Sequence, residues 1–208
     1  FSEAIDGLLV QGNYFGTDPS GLLPVPNSFM GLSLGLGSGT IGGTTPSARN
    51  IIAASNYGIS MQGSVWLIQG NIIGLGADGS TPLGNDTCGV AILAGSGNHI
   101  GGTVPGARNV ISGSSQGVSL NPLESSEVQN NAVEGNYIGT DASGTLAMGN
   151  LDAGLSLMGG ASSNRIGGNV IADAGAGGIK PGLHDGIYLE GVNTAWNVIQ
   201  GNFIGTDA

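Results

Sequence analysis

Along most of the chain, apolar residues stand two apart and polar or glycine residues fill the gaps. Leu155 and Leu157, or Ile187 and Leu189, share one face of a strand while Ser156 or Tyr188 takes the other. No window of ten or more residues shows helical spacing, and glycine or proline interrupts every connection. The pattern predicts many short strands joined by tight corners.

Those strands recur as phrases. "VQGNYFGTDPSG" (10–21), "IQGNIIGLGADG" (68–79), "VEGNYIGTDASG" (133–144) and "IQGNFIGTDA" (199–208) alternate with "TIGGTTPSARNII" (40–52), "HIGGTVPGARNVI" (99–111) and the shortened "RIGGNVI" (165–171). A third phrase, "GLSL", "GISM", "GVAI", "GVSL", "GLSL" and "GIYL", begins at 31, 58, 89, 117, 154 and 186. A unit of about thirty residues therefore holds three short strands: the "GxxL" strand, an "IGG/IQG" strand, and a strand opened by asparagine. Stacked units of this kind make an all-β solenoid, a single-stranded parallel β-helix of about six and a half coils, roughly 30 Å long at about 4.8 Å per coil.

The alignment also lists the inward rows. Val10, Ile41, Ile68, Ile100, Val133, Ile166 and Ile199 form one, and Phe15, Ile52, Ile73, Ile111, Ile138, Ile171 and Ile204 form the next. Asn13, Asn50, Asn71, Asn109, Asn136, Asn169 and Asn202 all open the third strand, where an amide can bond to the coils above and below. They are read as a structural ladder. Asn98, Asn131, Asn164 and Asn197 mark the preceding corner in the later coils.

Strands of this kind with a stacked asparagine column resemble the right-handed parallel β-helices of the pectin-lyase-like superfamily. The "GNYIGTDASGT…RNVISG" phrasing is similar to bacterial β-helix repeat proteins of secreted or surface type. The resemblance implies a right-handed coil and an extracellular or cell-surface location. It leaves the activity open, because lyases, epimerases, hydrolases, tailspikes and adhesive stalks share the superfamily.

Composition narrows the partners. With 208 residues, one parallel β-helix domain over 1–208 is expected, and the chain begins and ends inside a repeat, as a piece of a longer repeat protein would. Unstacked ends of that kind predict end-to-end association or a longer parent chain. Fourteen acids against four basic residues give a net charge of −10, which excludes a nucleic-acid footprint. No apolar run is long enough to insert in a membrane, and "FSEAIDGLLV" has neither the basic start nor the cleavage site of a secretion signal. Cys88 stands alone, so neither an internal disulfide nor a thiolate zinc cluster is expected.

Four features carry candidate chemistry. Asp18, Asp141 and Asp207, with Asp78 shifted, recur in the long loops, but equivalent acids lie two coils apart, roughly 10 Å. Calcium needs more oxygens than one acid per turn supplies, so no metal or other cofactor is assigned and the aspartates are read as turn formers. Arg49 and Arg108, each one residue before a ladder asparagine, are expected to pair with carboxylates in neighbouring long loops.

A third feature is the outward column Tyr14, Ile51, Ile72, Val110, Tyr137, Val170 and Phe203. Either the long loops, with Leu146 and Met148, fold back over it, or it is a surface for a polysaccharide, a surface glycan or a neighbouring copy, with Tyr14, Ile72, Tyr137 and Phe203 as binding residues.

Catalysis on a repetitive scaffold needs a break in the repeat. "GIKPGLHDGIYLEG" (178–191) brings the only lysine, Lys180, near His184, Asp185, Tyr188 and Glu190. Lysine, histidine and tyrosine are proton-transfer groups, and the grouping resembles the sets of β-helix epimerases and lyases. Two outcomes are therefore expected: a structural or adhesive module that engages glycans, or a polysaccharide-active enzyme with its site on that coil.

Overall fold

The computed structural model describes residues 4–172 and 185–206. All but two of its strands fall into three stacked sheets whose every pair is parallel, the arrangement of a parallel β-helix, and Gly95–Ser96 pairs with Val128–Gln129 in a separate parallel ribbon. The first sheet, built from the "GxxL" phrases, contains Met30–Leu34, Tyr57–Met61, Cys88–Ile92, Gln116–Leu120, Ala153–Leu157 and Asp185–Leu189. The second holds Ile5–Val10, Gly37–Gly42, Trp66–Gln69, His99–Gly101, Ala132–Glu134, Arg165–Gly167 and Val198–Gln200. Two-residue strands make the third: Tyr14–Phe15, Ile51–Ile52, Ile72–Ile73, Val110–Ile111, Tyr137–Ile138, Val170–Ile171 and Phe203–Ile204. Coils are numbered here from one to seven by their second-sheet strand.

Both inward rows stack without a slip. Val10, Ile41, Ile68, Ile100, Val133, Ile166 and Ile199 are register partners in turn. So are Phe15, Ile52, Ile73, Ile111, Ile138, Ile171 and Ile204. The residues between these ends are fully buried and form the core with Ile59, Val90, Val118 and Leu155 from the first sheet. Like stacks on like, so one strand's side chain sets the space left for the next.

The ladder joins all seven coils. Each asparagine Nδ2 donates to the Oδ1 of the next, from Asn13 to Asn50 at 3.1 Å through to Asn169 and Asn202 at 2.9 Å. The backbone N–H of each donates to the same Oδ1, and the second Nδ2 hydrogen of Asn50 onward reaches a second-sheet carbonyl of the preceding coil, as Asn109 does to Ile68. Interior members thus use two donors and two acceptor sites, the whole capacity of an amide. Asn98, Asn131, Asn164 and Asn197 form the shorter second ladder.

A third column alternates residue types. Asn27 donates to Ser55 Oγ, Ser55 N–H to Asn85 Oδ1, Asn85 N–H to Ser114 Oγ, and Ser114 N–H to Asn150 Oδ1. Asparagine follows each long loop and serine each short one.

The long loops belong to coils one, three and five and build a second layer. Each closes on an isolated antiparallel bridge, Thr17 with Pro24, Leu75 with Pro82, and Thr140 with Ala147. They reach one another across the intervening coil: Ala77 N–H donates to Gly21 O and Ala142 N–H to Gly79 O, both at 2.9 Å. Beneath them Ile51, Ile72, Leu75, Val110, Tyr137 and Val170 form a separate apolar cluster, with Ala77 and Met148 packed on it.

Candidate functional site

The loop aspartates are engaged by donors. Asp18 Oδ1 accepts from the N–H groups of Leu22 and Leu23 and from Ser20, and Asp141 repeats the set with Thr145, Leu146 and Ser143. In the middle loop glycine, Gly76, takes the equivalent position and the carboxylate moves two residues on to Asp78, which accepts from Ser80 and Thr81. Hydrogen bonds to the charged form hold Asp18, chiefly from Ser20, and Asp78, chiefly from Thr81, below the usual range, Asp78 at about 2. For Asp141 burial opposes ionisation, but the bonds from Leu146 and Ser143 outweigh it. Asp207 lies outside the described residues. Among those described, no three His, Cys, Asp or Glu converge as metal ligands would.

The outward column is covered at two of the four candidate binding positions and open at the other two. Ile72 is 1% exposed and Tyr137 9%, because the second layer lies over them, whereas Tyr14 (46%) and Phe203 (61%), in the first and last coils, are open. Met148 does the covering; Leu146 points to solvent.

Arginine pairing differs from expectation too. Arg49 Nε donates to Gly70 O at 3.1 Å and Arg108 Nε to Gly135 O at 3.0 Å, each a carbonyl of the next coil's glycine corner, not a carboxylate. Glycine at φ +67° and +66° turns each corner without a Cβ in the way, and the arginine Nε reaches the carbonyl. Arg108 also lies with its guanidinium carbon 3.8 Å from the ring centroid of Tyr137.

On coil six, Lys180 and His184 lie outside the described residues. Tyr188 faces outward beside Ser156 and donates to Glu190 Oε2 at 2.6 Å, while Asp185 N–H donates to Asp152 O. Glu190 raises the Tyr188 phenol above its ordinary value, the reverse of what a tyrosine base requires.

The outer face of the first sheet is less plain than its sequence. Ser60, Ala91, Ser119 and Ser156 are all buried although they point away from the core. Flanking side chains rise on both sides and enclose a groove of about 300 Å³, with Tyr57, Gln116 and Asp152 along one wall and Asn121 and Met158 along the other. Ser156 Oγ lies 3.1 Å from both Gln116 Oε1, to which it donates, and Ser119 Oγ, and Ser115 separately donates to Asp152, so two polar sets line the groove.

The clearest break in the repeat lies on the second sheet. Gln11, Gly42, Gln69, Gly101, Glu134, Gly167 and Gln200 occupy one outward column. Gln11 and Gln69 each reach across the next glycine to its carbonyl, at 2.8 and 2.9 Å. Glu134 cannot donate such a bond. Its carboxylate, only 4% exposed as a residue, instead pairs with Arg165 of coil six and lies 3.2 Å from His99 Nε2 of coil four. That imidazole nitrogen is not in line for a hydrogen bond, so the contact is one of charge when His99 is protonated. His99 and Arg165 flank Ala132 in the register, and its small side chain leaves the carboxylate room to meet both.

Comparison with protein-family models, with curated proteins and with solved structures finds no match. Chemistry must therefore be read from these residues alone. The charged trio escapes a reading along the chain because "HIGG", "VEGN" and "RIGG" each look like local variants of one phrase. Only the stacking register makes them neighbours.

Proposed function

We propose that this chain is a structural and adhesive β-helix module of a secreted or cell-surface protein, of the right-handed, pectin-lyase-like kind, and that it engages polysaccharide along the outer face of its first sheet. The groove there carries the reading. Its walls offer hydroxyls, amides and one carboxylate beside an aromatic ring, which matches the alternating donors, acceptors and apolar faces of a sugar chain. A floor of serine and alanine keeps it shallow and open along the axis, suited to a polymer rather than a small enclosed substrate. Regular ladders on every coil make the support rigid, so little ordering cost opposes binding.

Affinity electrophoresis of the purified chain through gels loaded with neutral or acidic polysaccharides tests this. Retardation by at least one polymer is expected, with Gln116→Ala and Tyr57→Ala each weakening it several-fold. Absence of retardation throughout, or retardation indifferent to both substitutions, overturns the reading. Release of new reducing ends or unsaturated uronate in the same mixtures would favour the enzyme on Lys180, His184, Asp185, Tyr188 and Glu190.

A further inference from the structure

Beside the Glu134 trio the repeat fails a second time. Coils two and four insert the segments 43–49 and 102–108 between their second and third strands, whereas coil six passes from Gly167 and Gly168 directly into Asn169. The two insertions stack, and a Cβ on Gly106 would run into Thr44 O. No third insertion follows the second. A notch of about 380 Å³ opens in its place, walled by Thr103, Pro105 and Arg108 and floored by Gly135 and Gly168.

Arg108 is fixed in this notch before any ligand arrives, by its Nε bond to Gly135 O and by the face of Tyr137. Nε is committed, and among the described residues no carboxylate pairs with the guanidinium, in a chain of fourteen acids and four bases. Arg165 stands next to the floor with Glu134: a Cβ on Gly167, the neighbour of Gly168, would lie 3.7 Å from Arg165 Nη1 and 3.7 Å from Glu134 Oε1. Glu134 steadies Arg165 and is offset by it, so Arg108 remains the uncompensated charge of the notch. Arg49 is the repeat equivalent, but the insertion of coil four packs over its loop.

We propose that this notch binds one oxyanion, a carboxylate or a sulfate ester, with Arg108 supplying a pre-set two-pronged donor and Arg165 a second cation. Planar, bidentate donation to carboxylate or sulfate oxygens is what a guanidinium held by its Nε can still offer. The site is separate from the first-sheet groove and stands or falls without it.

The test is a titration of the ¹⁵N-labelled chain with sodium glucuronate and, separately, sodium sulfate, at ionic strength held constant with sodium chloride. Saturable shifts are expected at the Arg108 side-chain N–H and at the amides of 102–106, Gly135 and Gly168, and the two salts distinguish a carboxylate from a sulfate site. Arg108→Gln should abolish saturation, Arg108→Lys should weaken it about tenfold for loss of the fork, and Arg49→Gln should leave it unchanged. Shifts that stay linear with both anions, or that saturate equally in Arg108→Gln or are lost equally in Arg49→Gln, overturn the proposal. Should Arg108→Gln lose the ladder amide resonances and so its fold, Arg165→Gln decides: several-fold weaker binding supports the site, and unchanged binding of both anions overturns it.

Discussion

Asn109 donates from Nδ2 to Asn136 Oδ1 at 3.0 Å and from its own backbone N–H to that same oxygen at 3.2 Å. Its Oδ1 receives the equivalent pair from Asn71, and its other Nδ2 hydrogen holds Ile68 O. One side chain therefore satisfies groups on both neighbouring coils inside a fully buried corner. Asn109→Ala strands two donors and a carbonyl, each costing about 1–3 kcal/mol, so a loss of roughly 3–5 kcal/mol is expected. Asn13→Ala, at a ladder end with exposed neighbours, should cost roughly 1 kcal/mol. Urea unfolding of the two variants checks the difference, and equal losses would refute the ladder's share in stability.

Glycine at the head of each "GxxL" strand is a matter of space. A Cβ on Gly58 would stand 2.6 Å from Gly89 O and 3.0 Å from Ile73 Cγ2, atoms that the stacked core holds in place. Gly58→Ala is expected to destabilise by about 2–3 kcal/mol through forced separation of coils two and three. Gly35, just beyond the preceding first-sheet strand, has nothing within 4 Å of the same built atom. Gly35→Ala should be neutral or stabilising by up to about 1 kcal/mol. Thermal unfolding of both variants separates a packing requirement from a general preference for glycine.

Tyr137 tests whether the outward column is structure or surface. The ring sits under Arg108 and among Val110, Val170 and Met148, nine-tenths buried. Tyr137→Ser removes that fill and should cost roughly 2–4 kcal/mol. Replacing exposed Phe203 by Ser should change stability by less than about 1 kcal/mol. Chemical denaturation of the pair gives the answer, and a stability-neutral Tyr137→Ser would mean that the second layer does not hold the ring.

Much of this architecture was legible along the chain, for a definite reason. In a parallel stack the residue above Ile68 must be another residue of the same strand position, so an alignment of phrases is already a register, as Ile41, Ile68 and Ile100 show. Relationships across phrases of unequal length were not. The Asn27, Ser55, Asn85, Ser114 and Asn150 column alternates residue type and follows loops of different length, which hides its spacing. The return of the long loops over the outward column is one of the two outcomes the chain suggests. The bond between Ala77 and Gly21 is not, because it spans a whole coil, and neither is the Glu134 trio, whose members occupy three coils.

The loop aspartates give the fold a defined acid response. Asp18, Asp78 and Asp141 are all held below the ordinary value of 3.8, with Asp78 at about 2, by hydrogen bonds that only the folded loops supply. In the unfolded chain they bind protons at higher pH than in the folded one. Between about pH 4 and about pH 2 the unfolded state therefore carries more protons, and stability must fall as pH falls. Above the unfolded value the contribution is complete; below the folded values it is gone. Thermal midpoints measured from pH 5 to pH 2 should decline through that window, and Asp78→Ala should make the decline shallower while lowering the midpoint at pH 6. An unchanged slope in Asp78→Ala would show that the middle loop does not couple its carboxylate to folding.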